Sequence, residues 1–381
     1  MKCIGRDAFS GAAVELSGGA VLDSVEELIA PPPVLTYLSP GFIDLQVNGF
    51  AGVDYCNPDA PQDEIARSLE VLFSTGVTRL LPTVITGSPE AMLGALRNLA
   101  RARRELRHGR AFEGFHVEGP HISPHDGPRG AHPQRWVRPP DIEEFQRWQD
   151  AAEGYVRLVT VSPEWPGTPR YIEHLVGHGV VVAIGHLNAT HSQIEDAVRA
   201  GATLATHLGN GANSELPRHP NYLWQQLAED RLAASLIVDG IHLGPDFLNV
   251  ALRAKGLERC VLITDAVTPA CSEPGPYMLG EVEVTLHPAG NVTLRGSDRL
   301  AGSALRMDRG VENLMRLARL SLSDALTLAT RNPARVGRIA GRRRGLQPGE
   351  HADVVEFDYN PAAKSIRVLR TWLDGELVHS A

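Results

Sequence analysis

Polar side chains that can bind ions or move protons stand at the ends of short apolar runs throughout this sequence. Gln46 and Asn48 close one such run and His116 and Glu118 another, while His186, His207, His242 and Asp265 each follow a run of their own. Singly, each has an ordinary structural use. A strand-end His is commonly a hydrogen-bonded residue, an Asp ahead of a helix commonly caps it, and Glu118 before Gly119-Pro120 suits a turn. Jointly, a carboxylate and two imidazoles supply the three protein ligands of an open catalytic zinc site. A divalent ion held in that way leaves a coordination position for water and lowers its pKa, so that hydroxide is available near neutral pH. An unligated carboxylate is still needed to carry protons. Asp265 suits that work, because it can take a proton from the water and hand it to a departing amine.

These residues need a scaffold that brings them together. Short apolar runs at 42–47, 78–81, 112–117, 156–161, 180–184, 203–206, 232–238 and 260–264 read as strands. Amphipathic segments at 63–74, 89–107, 141–150, 171–178, 192–200 and 245–254 read as helices between them, with 307–318 and 322–330 after the last strand. Ser192 and Glu195 have the spacing of a capping box. Repeated βα units predict an α/β fold with a parallel sheet, and eight of them suit a TIM-like (β/α)₈ barrel better than an open sheet. In such a barrel the site lies at the C-terminal strand ends, where the polar residues fall. Residues 277–295 read as an inserted β-hairpin. Short alternating runs at both termini predict a small β-sandwich domain, 1–40 plus 345–381, beside a barrel over 41–344.

Composition narrows the chemistry. Cys3, Cys56, Cys260 and Cys271 form no C-x-x-C pair, so any metal must be held by His and carboxylates. A net charge of −8 argues against nucleic acid as a partner, because binding its backbone requires concentrated Lys and Arg. Arg342-Arg343-Arg344 is the one basic run and reads as a solvated turn. No run approaches the ~20 apolar residues of a membrane span. The first residues, Met1 to Asp7, lack the apolar stretch of a secretory signal, which leads to the expectation of a cytoplasmic protein without a membrane partner.

Nearly end to end, the ordered motifs resemble those of the amidohydrolase superfamily and, within it, the N-acetylglucosamine-6-phosphate deacetylase family. The landmarks are Pro40-Gly41-Phe42-Ile43-Asp44-Leu45-Gln46-Val47-Asn48-Gly49, His116-Val117-Glu118-Gly119-Pro120, Gly130-Ala131-His132, Gly185-His186-Leu187-Asn188 and Thr206-His207-Leu208-Gly209-Asn210. Asp239-Gly240-Ile241-His242, Thr264-Asp265-Ala266 and Asn332-Pro333-Ala334 continue the set. Many amidohydrolases open with His-x-His on the first strand to bind a second metal, whereas this chain has Gln46-x-Asn48. The resemblance therefore implies one divalent ion per chain, zinc by preference with iron or another ion compatible, held by Glu118, His186 and His207. His116 is then a neighbour of that set.

By the same resemblance, the substrate is a phosphorylated N-acetyl amino sugar, N-acetylglucosamine 6-phosphate, hydrolysed to acetate and glucosamine 6-phosphate in amino-sugar metabolism. Asp265 and His132 are the implied catalytic residues: Asp265 acts as base and then acid, and His132 polarises the acetyl carbonyl. Gln46, His132, Asn210, Gly211, Arg218 and His242 are the implied substrate contacts, and in the family the matching Arg reaches across a homodimer interface. Arg suits a phosphate because its planar fork makes two parallel hydrogen bonds.

The resemblance departs after His207. The family continues with an aromatic residue, Asn, Ala and Met, where this chain has Gly209-Asn210-Gly211-Ala212, and Trp224 is a candidate wall in the altered loop that follows. Two alternatives stay open: a deacylase for N-acetylgalactosamine 6-phosphate or another N-acyl amine, and a non-catalytic amidohydrolase-like binding or assembly module. Convergence of Arg218 and His242 on one anion separates the phosphosugars from other amines. Retention of the ligands and Asp265 separates an enzyme from a degenerate module.

Overall fold

A computed structural model describes residues 1–381. Eight parallel strands form the central sheet: Phe42–Val47, Val77–Ile85, Phe115–Glu118, Val156–Val161, Val181–Ile184, Leu204–Ala205, Ala233–Ile237 and Cys260–Ile263, each bonded to the next. The eighth returns to the first. Asp265 N–H donates to the Gln46 carbonyl at 3.0 Å and Asn48 N–H to that of Ala266 at 2.7 Å, so the barrel closes among the residues singled out for chemistry. Ile43, Leu45, Leu158, Val181, Ala183, Ile237, Val261 and Ile263 fill the interior, while alternate residues such as Phe42, Val159 and Val182 pack under the helices. The barrel is thus a filled core whose polar chemistry is displaced to one end.

The second strand is longer than its sequence suggests. Pro82 breaks the pattern at 78–81 because it has no N–H to offer a ladder, yet the strand runs on to Ile85. A register shift in its partner between Asp44 and Val47 absorbs the proline. That extension carries Ile85 and Thr86 to the site end. The third strand begins at Phe115 rather than 112, because Gly109–Ala111 forms a 3₁₀ turn first.

Local chemistry sets the helices. Ser88 caps Pro89–Glu105, whose Met92, Leu96 and Leu99 form one buried stripe worth roughly 1.5–3 kcal/mol per side chain. The helix His191–Ala200 starts one residue earlier than expected, since its capping box is Thr190 with Gln193 and not Ser192 with Glu195. Tyr222–Ala228, a helix that the sequence reading lacks, is capped by Asn221. The expected single hairpin is a four-stranded antiparallel sheet, Gly275–Leu279, Val282–Leu286, Asn291–Leu294 and Leu300–Ser303, bridged to the barrel through Ser303 and Ala266.

Both chain ends pair into one seven-stranded sheet, in the order Glu376–Ser380, Ser365–Leu373, Val354–Asn360, Tyr37–Pro40, Lys2–Asp7, Ala13–Gly18, Leu22–Glu27. Its own core includes Leu16, Leu22, Leu38, Val354 and Trp372. Arg342 is buried, not solvated: it pairs with Asp353 and donates to the Gly41 carbonyl at 2.6 Å, while Arg79 holds the same carboxylate at 2.7 Å. Of the three consecutive arginines only Arg343 and Arg344 are exposed. No helix is long and apolar enough to cross a membrane.

Candidate active site

Two residues past the ends of the fifth, sixth and eighth strands stands a residue with left-handed backbone: His186 at φ 50°, His207 at φ 30° and Asp265 at φ 50°. Such conformations cost about 1–3 kcal/mol each and persist where the surroundings over-determine them. Here they turn the side chains inward over the barrel mouth. Glu118 ends the third strand, and the ligating atoms of Glu118, His186 and His207 all lie within 4.8 Å of one another. His207 Nε2 is 2.9 Å from Glu118 Oε1 and 3.1 Å from His186 Nε2, and all three residues are buried.

That donor set fits a divalent cation. His186 Nδ1 faces the Pro128 carbonyl at 2.8 Å, and a carbonyl only accepts, so the proton sits on Nδ1 and the Nε2 lone pair faces the cluster. Two imidazole nitrogens and a carboxylate oxygen thus converge on one point with lone pairs in excess of protons. Burial alone would raise the Glu118 pKa, but the neighbouring imidazoles outweigh it and hold the carboxyl well below the ordinary carboxylate range. Gly211 stands at φ 56°, and a Cβ there would come within 2.7 Å of His186 Nδ1, so the close approach of this loop requires glycine.

Asp265 sits beside the cluster without joining it. Its Oδ1 accepts from Asn48 Nδ2 at 2.7 Å and from Gln46 Nε2 at 3.0 Å, and the same Gln46 nitrogen reaches Glu118 Oε1 at 3.0 Å. Burial first, then the charge of Glu118, push the Asp265 carboxyl up to about 6. His132 faces the cluster with Nε2 4.0 Å from Glu118 Oε2, and its Nδ1 meets the Thr86 hydroxyl at 2.8 Å. Burial, and then the proximity of His186, bring His132 down to about 3, so the ring is neutral.

A cavity of about 120 Å³ opens over these groups, lined among others by Glu118, His132, His186, His207, Asn210, Gly211, His242 and Asp265. His242 is steadied by Asp239, its Nδ1 2.6 Å from the carboxylate. Four of the residues singled out from sequence stand elsewhere. Gln46 lies behind the carboxylates, with its amide engaged by both, and is not on the cavity wall. Arg218 is exposed on the loop ahead of Asn221, outside the cavity, and Trp224 is half exposed on its helix rather than forming a wall. His116 turns away: its Nε2 meets Thr160 Oγ1 at 2.8 Å, and burial takes it down to about 4. Thr86, which holds His132, carries no signal in the sequence, because the pattern there ends the strand before Pro82.

Comparison with known proteins places this site in context. The model of the Amidohydrolase family matches residues 37–378. An N-acetylglucosamine-6-phosphate deacetylase of Bacillus subtilis (strain 168) is 32% identical over 326 residues, 85% of this chain and 81% of that protein. An N-acetylgalactosamine-6-phosphate deacetylase of Escherichia coli O157:H7 is 32% identical over 363 residues, 94% of this chain and 93% of that one. Among solved structures, a mutant N-acetyl-D-glucosamine-6-phosphate deacetylase of Mycobacterium smegmatis in complex with N-acetyl-D-glucosamine-6-phosphate superposes with a TM-score of 0.87. It is 31% identical, and the match covers 97% of this chain and 95% of that chain.

Proposed function

The chain belongs to the amidohydrolase family, and from that premise we propose that it is a metal-dependent hydrolase that removes the acetyl group of N-acetylglucosamine 6-phosphate, releasing acetate and glucosamine 6-phosphate. The observation that carries this reading is the convergence of Glu118, His186 and His207 beside an unligated, buried Asp265. Those three residues would hold one divalent ion, for which we propose zinc, on account of the mixed imidazole and carboxylate set. When bound, the ion supplies a water ionised near neutral pH and a positive charge at the acyl oxygen.

The chain's own residues do the rest. Asp265, aimed by Asn48 and Gln46, takes the proton of the attacking water and delivers it to the amine nitrogen as the C–N bond breaks. With the neutral ring protonated on Nε2, the Thr86 hydroxyl donates to His132 Nδ1 and Nε2–H is free to donate to the acyl oxygen as it gains charge; one such donor is worth roughly 2.7–4 kcal/mol. Asn210, Gly211 and His242 face the remainder of the substrate.

No Lys or Arg lines the cavity, so within one chain the phosphate lacks a permanently charged partner. An exposed Arg218 that serves the site of a second copy supplies one, and we therefore read the working form as a homodimer. The barrel over 41–344 carries the chemistry, and the domain from 1–40 and 345–381 supports it.

Acetate release from N-acetylglucosamine 6-phosphate, before and after chelation and metal restoration, tests the reading. Chelator-sensitive release supports it; no release from metal-loaded protein rejects it. The galactosamine epimer belongs in the same assay, because the Escherichia coli relative named for that sugar matches this chain as closely as the Bacillus subtilis one.

A further inference from the structure

Beyond the site cavity lies a second and larger one, about 520 Å³, between the start of the helix Pro89–Glu105 and the strand Gly275–Leu279. Its walls include Val53, Val84, Ala91, Met92 and Met278. A volume of this size accommodates a sizeable organic group. A single residue, Ile85, is common to the lining of both cavities.

The site cavity has both apolar and polar walls. Ile85, Val267, Leu279 and Ala301 belong to one apolar cluster and form a contiguous part of its wall, and Asn210, Gly211 and His242 also line it. Ile85 also precedes Thr86, which anchors His132 at 2.8 Å. Apolar surface gains by leaving water only against apolar walls, so the apolar cluster around Ile85 is the part of the wall that suits a short acyl group.

On the reading that the chain is an N-acyl amino-sugar deacylase, we propose that Ile85 determines acyl length. Its side chain closes the acyl end behind an acetyl methyl group and shuts off the larger cavity, which would otherwise receive a longer aliphatic acyl chain. Ile85 contributes no proton transfer and touches only the acyl end. Its β-branched side chain projects from a strand end paired to Glu118, so it is held as rigidly as the site itself.

The test compares kcat/KM for N-acetyl- and N-butanoylglucosamine 6-phosphate in the unaltered protein, Ile85→Ala, the milder Ile85→Val, and Val84→Ala, which enlarges the outer cavity alone. Opening the partition should raise the butanoyl-to-acetyl ratio by about tenfold or more in Ile85→Ala, since one methylene in an apolar pocket is worth that much. Ile85→Val should give a smaller rise and Val84→Ala none. If Ile85→Ala does not fold, the ratio in Ile85→Val decides. An unchanged ratio in folded Ile85 variants that still release acetate overturns the partition and leaves the deacetylase reading intact. Absence of acetate release from the unaltered, metal-loaded protein overturns both.

Discussion

Gln46 and Asp265 are joined twice: the Asp265 backbone N–H donates to the Gln46 carbonyl at 3.0 Å, and the Gln46 side-chain amide donates back to the Asp265 carboxylate at 3.0 Å. The first bond closes the barrel and the second aims the proposed proton carrier, so closure of the fold and orientation of the catalytic group are one event. An amide serves here where a ligand would not. It neutralises neither carboxylate and donates to both.

Asp265→Asn should lower kcat by about 10²- to 10⁴-fold, the usual worth of a positioned acid or base. Metal content, measured by elemental analysis, should stay near that of the unaltered protein. Equal loss of both would make Asp265 a ligand rather than a proton carrier.

As the proposed proton acceptor, Asp265 works as the carboxylate, so activity should fall as acid protonates it. Burial and Glu118 push this group up to about 6, and a bound cation favours the charged form and moves the limb lower. The acid limb of kcat/KM in metal-loaded protein is therefore expected at or below about pH 6. A limb above pH 7 would assign it to another group.

Thr86→Val removes the hydroxyl that holds His132 Nδ1 at 2.8 Å and keeps the side-chain volume. Loss of an orienting partner of this kind typically costs about 10- to 100-fold in activity. Thermal melting and metal content should change little. A variant with full activity would show that His132 needs no partner.

Arg218→Ala should mainly raise KM for the phosphorylated sugar and leave an unphosphorylated analogue unaffected. Because Arg218 stands outside the cavity of its own chain, mixing Arg218→Ala chains with Asp265→Asn chains should restore some sites to low KM. Failure to complement, in a protein shown by sedimentation to be a dimer, would place Arg218 outside the site.

Asp353→Asn should destabilise the fold by about 3–5 kcal/mol, because it leaves the buried Arg342 without a carboxylate, while Arg79 keeps Asp374 at 2.6 Å. Burial raises the Asp353 pKa, but Arg342 and Arg79 outweigh it and hold it below the usual value. Its stabilising contribution is therefore present above the unfolded carboxyl pKa near ~3.9 and lost as pH falls through the lower folded value. Denaturant unfolding from pH 7 down to pH 3 should show the gap between the two proteins narrowing only at the acid end.

The eight-stranded pattern and the candidate site residues at strand ends are legible in the sequence, because a parallel barrel strand is a short run buried on both faces and the residue just past it can face the mouth. Glu118, His186, His207 and Asp265 all announce themselves in that way. Local sequence is silent on what depends on distant partners. Pro82 looks like a strand end until the register shift opposite it is seen, and Thr86 gains meaning only once His132, far along the chain, lies 2.8 Å away. Arg342 resembles any charged turn residue until Asp353 and Gly41 enclose it. Residue types and their spacing along the chain determined which chemistry was possible. Only the closed barrel decided which of those residues touch a common cavity, because convergence is a property of distances between chain segments and not of order along them.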